Sequence, residues 1–225
     1  MSPRISVLCP TRGRPGNVER MASSALVTAS GPVELVFYCD DDAPGSVPGT
    51  AGALDSVKVI TGPRIVMSDM WNRCWEHASA DVFMQCGDDI VFRTPGWDDI
   101  VLGAFGAIPD RIAFVYGRDG HREDTYGTHG FLHRKWTDTV GYFTPPYFSC
   151  DWSETWLNDI ASRLGRKVLV PILTEHMHPN AGKHPWDATH QERAERGARD
   201  NPEALYASLE HERAADAAKL RAVMA

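Results

Sequence analysis

The feature that most constrains this chain is a repeated alternation of short apolar runs of strand type with stretches of helical spacing. Ile5–Cys9 breaks at Pro10-Thr11-Arg12-Gly13-Arg14-Pro15-Gly16, and Val33–Cys39 closes on Asp40-Asp41-Asp42. Val57–Ile60 is a short third run, and Asp81–Cys86 passes directly into Gly87-Asp88-Asp89. Between them, Val18, Met21, Ala22, Ala25, Leu26 and Ala29 form one helical stripe, stopped by Gly31-Pro32. Met67, Met70, Trp71, Cys74, Trp75 and Ala78 form a second, at i, i+3, i+4, i+7, i+8 and i+11. Such alternation predicts an α/β sheet domain.

Residues 111–117 and 129–134 read as further strands, with a polar, glycine-containing loop from Gly117 to Gly127 between them. Ala43–Gly52 is rich in Pro and Gly and reads as a loop. Ser68 or Asp69 is the expected cap of the helix that follows. Trp152, Trp156, Leu157, Ile160 and Leu164 give another helix, stopped by Gly165, and Lys167–Thr174 a last strand. From about Trp186 the chain turns rich in Ala, Glu and Arg, broken mainly at Pro202, which predicts one or two exposed helices. At roughly 150 residues per domain the length suits one domain with an extension. The expected division is 1–185 for the sheet domain and 186–225 for a helical C-terminal extension.

Charge and cysteine usage narrow the function classes. The formal net charge is −7, whereas proteins that hold nucleic acid by its backbone carry a basic surplus. Sequence-independent nucleic-acid binding is therefore disfavoured. A small anionic substrate stays open, because a metal ion can reverse the local sign. The five cysteines are scattered with no CxxC pair, which argues against a disulfide framework or zinc ribbon and for reduced, buried thiols. No apolar run approaches the ~18–20 residues of a membrane span, and the first run is too short for a signal peptide. A cytoplasmic location is expected, in the host cytoplasm if the chain is viral.

Four groups of residues are candidates for chemistry. Asp40-Asp41-Asp42 and Asp88-Asp89 each follow a strand, and ligands of open α/β sheets bind beyond the carboxyl ends of strands. Carboxylates there suit a hard divalent cation, though isolated acids also cap loops and helices. His176 and His178, two apart on an extended segment, point to one face; either a metal ligand beside Asp89 or a surface or hydrogen-bonded role fits. Asp151 and Glu154, at i and i+3, share a helix face as candidate general bases, or as acids favoured by the helix dipole. Thr11-Arg12-Gly13-Arg14-Pro15 offers a phosphate-holding loop, but it is neither a Walker A loop nor GxGxxG.

In order and spacing these segments resemble the nucleotide-sugar-dependent glycosyltransferases of the GT-A fold, above all glycosyltransferase family 2-like proteins, over roughly residues 4–180. ISVLCPTRGRP is similar to that family's first strand and nucleotide-binding loop. FYCDDDAPG resembles its second strand, whose terminal Asp contacts the base. MWNRCWEHASADVFMQCGDDIVF is similar to the helix, strand and DxD region, including Asn72. HGFLHRKW resembles the acceptor-side segment, and SCDWSETWL the catalytic stretch. The DxD motif here reads Cys86-Gly87-Asp88-Asp89, with Cys in place of the first acid, and the usual acidic pair reads Cys150-Asp151.

The resemblance implies a Rossmann-like mixed sheet flanked by helices and a C-terminal helical extension. It implies transfer of a sugar from a UDP- or GDP-type donor to an acceptor hydroxyl on a protein, glycan or modified base. Donor binding falls to Pro10, Thr11, Arg12, Arg14, Asp40, Asp41, Asn72 and Asp88. Mn2+ or Mg2+ falls to Asp89 with His178, or with His176. Catalysis falls to Asp151 as an inverting base, with Glu154 beside it. Apart from the resemblance, the composition of the loop 117–127, with His121, Arg122, Glu123 and Asp124, suggests a segment that closes over the donor. A soluble bacterial or bacteriophage enzyme would fit. Two other readings compete: a sugar-phosphate nucleotidyltransferase, whose Gly-rich Lys-bearing signature is missing, and a non-catalytic nucleotide-sugar- or glycan-binding relative. The C-terminal helices serve packing or homo-oligomerisation, or bring Arg193, Arg196 and Arg199 near the donor phosphates.

Overall fold

The computed structural model describes residues 2–52, 54–122 and 124–225. Glu123 lies outside the described residues. In chain order the elements are β1 (Ile5–Thr11), α1 (Pro15–Thr28), β2 (Val33–Asp40), α2 (Gly49–Gly52), β3 (Val57–Gly62), α3 (Met67–Glu76), β4 (Val82–Gln85), β5 (Ile90–Phe92) and α4 (Trp97–Gly106). There follow β6 (Phe114–Arg118), β7 (Gly130–His133), α5 (Arg134–Val140), α6 (Ser153–Leu164), β8 (Lys167–His176), α7 (Ala188–Asp200), α8 (Pro202–Ser208) and α9 (Glu210–Ala222).

The strands form one mixed sheet in the order β3-β2-β1-β4-β7-β6-β8-β5. β1 runs parallel to β2 and β4, and β2 parallel to β3. β7 is antiparallel to both β4 and β6, while β8 is parallel to β6. It follows that β1, β2, β4, β6 and β8 all end at the same edge of the sheet, and β7 begins there. That edge is where the chemistry-bearing residues collect.

Both faces of the sheet are covered. In β1, Ile5, Val7 and Cys9 pack toward α1 and α4 while Leu8 packs toward α3 and α6, as the period of two requires. Strands buried on both faces read as continuous apolar runs, which is why β1 and β2 were legible. The second face carries Trp136, Trp156 and Phe143, all fully buried.

Several local expectations need correction. α3 is capped by neither Ser68 nor Asp69: its N-cap is Val66, and Ser68 lies buried inside the helix with its hydroxyl on that of Ser153, 3.1 Å away. The loop expected over Ala43–Gly52 ends in the single turn of α2. β5, α4 and α5 were not anticipated. The tail forms three helices rather than one or two, and it is not peripheral. Ala217 and Leu220 of α9 are buried in the core beneath α5 and α6, and Arg213, 3% exposed, lies over the Tyr206 ring at 3.6 Å. All five cysteines are free and buried. Among the described residues no helix is long and apolar enough to cross a membrane.

Candidate active site

A cavity of about 510 Å3 opens at the common strand edge. Pro10, Thr11, Arg12, Arg14, Asp40, Asp88, Asp89, Asp151, Glu154, His176 and His178 all line it. Two of the expected residues do not. Asp41 is exposed beyond the end of β2. The Asn72 amide is consumed by structure: its Nδ2 donates to the Thr144 carbonyl (2.9 Å), and its oxygen accepts from the amides of Phe143 and Thr144 (2.9 and 3.0 Å). Asn72 therefore ties α3 to the segment after α5 and is no donor contact in this geometry.

On the nucleotide-loop side, the Thr11 hydroxyl donates to Asp88 Oδ2 (2.8 Å), and the Arg14 guanidinium reaches Asp88 Oδ1 (3.2 Å). Burial pushes the Asp88 carboxyl up to about 6, against the pull of Arg14 and with the added push of Asp89. Arg12 is held by Asp40 (3.0 Å) and Asp42. The other oxygen of Asp40, Oδ1, is buried without a hydrogen-bond partner among the described residues, an acceptor the protein itself leaves unsatisfied. Cys86, where the resemblance expects an acid, is fully buried with its thiol on the Gly87 carbonyl (3.2 Å). A Cβ at Gly87 would stand 2.7 Å from Asp89 Oδ1, so a larger residue there would displace that carboxylate.

Asp89 faces a group of histidines. His176 Nε2 lies 3.3 Å from Asp89 Oδ2. His178 does not touch Asp89; its Nδ1 accepts from the Asn180 amide (3.1 Å), and its ring packs on His121 and His176 at 5.5 and 5.0 Å. His176 is thus the histidine the structure brings to Asp89, whereas the sequence reading preferred His178. Burial alone would lower the His176 pKa, but the facing carboxylates of Asp119 and Asp89 raise it to about 9. Asp89 itself is held well below the usual carboxylate range by His176, in spite of its burial.

The donor chemistry fits a divalent cation. A carboxylate and an imidazole are its usual ligands, and two ligands at about 2.1 Å and right angles around one ion stand about 3 Å apart. The 3.3 Å spacing of Asp89 and His176 is close to that. Among the described residues no three His, Cys, Asp or Glu side chains are already gathered as a metal site. A cation there would complete its shell from substrate oxygens and water, as Mg2+-type sites commonly do.

The opposite wall is built by α6. Trp152, its N-cap, takes a left-handed backbone (φ 81°), a conformation that costs a non-glycine residue about 1–3 kcal/mol. With this turn, Asp151 and Glu154 both line the cavity. Their environments differ. Arg193 of α7 grips Asp151 with two nitrogens, at 3.0 and 2.7 Å. Burial and the neighbouring Asp151 charge push the Glu154 carboxyl up to about 7.

Three features of the site were not anticipated. Asp119, just past β6, and His129, just before β7, sit at the same strand edge; both are buried, and the His129 ring lies 4.8 Å from that of His176. Burial holds the His129 pKa down to about 3, so the imidazole is neutral. The third is Asp187, which caps α7 and binds Arg14 through two oxygens (2.9 and 2.7 Å). Of the three tail arginines, Arg193 and Arg196 line the cavity, while Arg199 is exposed and pairs with Asp200. His121 and Arg122 of the 117–127 loop also line it, and Asp124 pairs with Arg118 outside.

Comparison with known proteins agrees with this architecture. No protein-family model matches the sequence, and no curated protein does. Among solved structures, the mannosyltransferase PcManGT of Pyrobaculum calidifontis, in complex with GDP-Man and Mn2+, matches with a TM-score of 0.62 at 14% identity. The alignment covers 82% of this chain and 59% of that one. TarS 1–349 of S. aureus gives 0.57 at 12% identity over 76% of this chain and 60% of that one. Glucosyl-3-phosphoglycerate synthase of Mycobacterium tuberculosis, with Mn2+, UDP and glucosyl-3-phosphoglycerate, gives 0.57 at 17% identity, covering 88% and 80%. The chain spans about three-fifths of the length of the first two. At these identities the likeness establishes the fold: a mixed α/β sheet of GT-A type.

Proposed function

We propose that this protein is a cation-dependent glycosyltransferase that moves a sugar from a nucleoside-diphosphate sugar to an acceptor hydroxyl. One observation carries the reading. A single cavity is lined by Asp40, the Thr11/Arg14/Asp88 network, the Asp89–His176 pair and the Asp151/Glu154 carboxylates. The structural neighbours named with GDP-Man and Mn2+, or with UDP and Mn2+, support the same donor class.

Asp89 and His176 would hold the cation. When bound, it supplies Lewis-acid charge at the diphosphate leaving group. The chain's own groups do the rest. Asp40 accepts a hydrogen bond from the nucleoside. Arg14 exchanges its Asp88 and Asp187 partners for a phosphate oxygen, a bidentate exchange that guanidinium geometry favours. Glu154 takes the proton of the acceptor hydroxyl, since a base with a pKa near the working pH is the most effective. Asp151, whose two oxygens are bound by Arg193, orients the wall instead. A base attacking through the acceptor from this wall, opposite the diphosphate, inverts the anomeric carbon.

Binding tests the donor half of this reading. Mn2+ with UDP or GDP is expected to raise the melting temperature, and Asp89→Ala to abolish the rise. No shift with UDP, GDP, CDP or dTDP would contradict it. NMR of the product's anomeric configuration tests inversion, and a retained anomer would refute Glu154 as base.

A further inference from the structure

Asp119 is the buried acid that the proposed reaction leaves unused. It is 4% exposed, directly after β6, and every oxygen has an assignment. Oδ1 accepts from the amides of His121 and Arg122 at 2.8 and 2.7 Å. Oδ2 accepts from the Thr128 hydroxyl at 2.7 Å and lies 3.9 Å from His176 Nδ1. Its backbone carbonyl accepts from the His176 amide at 2.8 Å. His176 Nδ1 is itself buried and has no hydrogen-bond partner among the described residues. Its opposite nitrogen, Nε2, faces Asp89.

We infer that Asp119 is a positioning residue for the cation site: it accepts a hydrogen bond from the Nδ1–H of His176, fixes the ring, and leaves the Nε2 lone pair aimed at the cation beside Asp89. The inference rests on the cation-site reading above. The geometry favours it for three reasons. The three groups lie in series, with Asp119 and Asp89 on opposite nitrogens of one imidazole. A carboxylate behind a ligating histidine fixes its tautomer and raises its basicity. The same carboxylate also ties down the start of the 119–128 loop, through His121 and Arg122, and its end, through Thr128, so the loop wall and the ligand are set by one side chain. A ring shift of less than about 1 Å would bring Nδ1 within hydrogen-bond reach of Oδ2.

The test is Mn2+ affinity, read by electron paramagnetic resonance of free Mn2+, with Mn2+ alone and with Mn2+ plus UDP or GDP. Asp119→Asn keeps an oxygen for the His121 and Arg122 amides but loses the charge. It is expected to weaken Mn2+ binding about 10–100-fold, with the metal-free melting temperature little changed. Asp89→Asn and His176→Gln are expected to weaken it at least as much. If Asp119→Asn binds Mn2+ as the wild type does while Asp89→Asn does not, Asp119 merely holds the loop and the inference is overturned. If the wild type binds no Mn2+ under either condition, the cation-site reading falls and the inference with it. Should Asp119→Asn fail to fold, nitrogen-15 NMR of the wild type with Cd2+, a diamagnetic stand-in, decides the matter. A protonated Nδ1 on His176 supports the inference, and a protonated Nε2 overturns it.

Discussion

The two carboxylates on the α6 wall sit in different environments, and the proposed mechanism gives them different roles. Asp151 and Glu154 are three residues apart, and spacing alone does not rank them. Arg193 neutralises Asp151, whereas burial and Asp151 itself raise Glu154 to about 7. A base must be deprotonated, so turnover should rise with pH through about 7. Glu154→Gln should remove that limb and lower turnover about 10²–10⁴-fold. The same shift has a stability consequence of definite sign. The folded pKa lies above the ordinary value of 4.5, so the folded protein binds this proton more tightly, and its stability falls as pH rises between 4.5 and about 7. Glu154→Gln should therefore stabilise the fold at pH 8 by about 1–3 kcal/mol and give no gain at pH 4, as measured by urea unfolding. Asn72 carries three bonds to the backbone. Asn72→Ala should cost about 1–3 kcal/mol in the same measurement while leaving donor binding intact.

At the scale of elements, the sequence was most legible where strands are buried on both faces and where a helix has one clean apolar stripe. β1, β2, β4, α1, α3 and α6 all meet one of these conditions. β5 is only three residues long, and α5 only seven, too short for a period to register. The WDDIVLGAFG run of α4 is apolar on nearly every side after its first turn, so its stripe is masked. The site shows the same split. Asp40, Asp88 and Asp89 follow strands in the sequence and could be read directly. Asp119 and His129 became site residues only once the order β4-β7-β6-β8 was known, because antiparallel β7 begins where β6 ends. The depth to which the tail packs was hidden for another reason. The composition of α7 and α9 is polar, yet α9 places Ala217 and Leu220 in the core. Leu220→Ala should cost about 2–5 kcal/mol, whereas Arg199→Ala on the exposed face should stay within about 0.5 kcal/mol. A truncation after Pro185 should lose cooperative unfolding by circular dichroism, not yield a trimmed enzyme.

For the whole molecule, the net charge of −7 and the proposed binding of a diphosphate are reconciled at the sheet edge. Asp88 and Asp89 lie among Arg14 and a set of histidines, and Arg12 and Arg14 are held by acids that a phosphate can replace. A cation between Asp89 and His176 would reverse the sign of the local field where leaving-group charge develops. One measurement tests the whole account most directly: release of nucleoside diphosphate from a panel of UDP-, GDP-, CDP- and dTDP-sugars in Mn2+. The account predicts turnover of at least one donor, abolished by EDTA and by Asp89→Ala. Release of no nucleoside diphosphate from any donor, or release indifferent to both treatments, would contradict it.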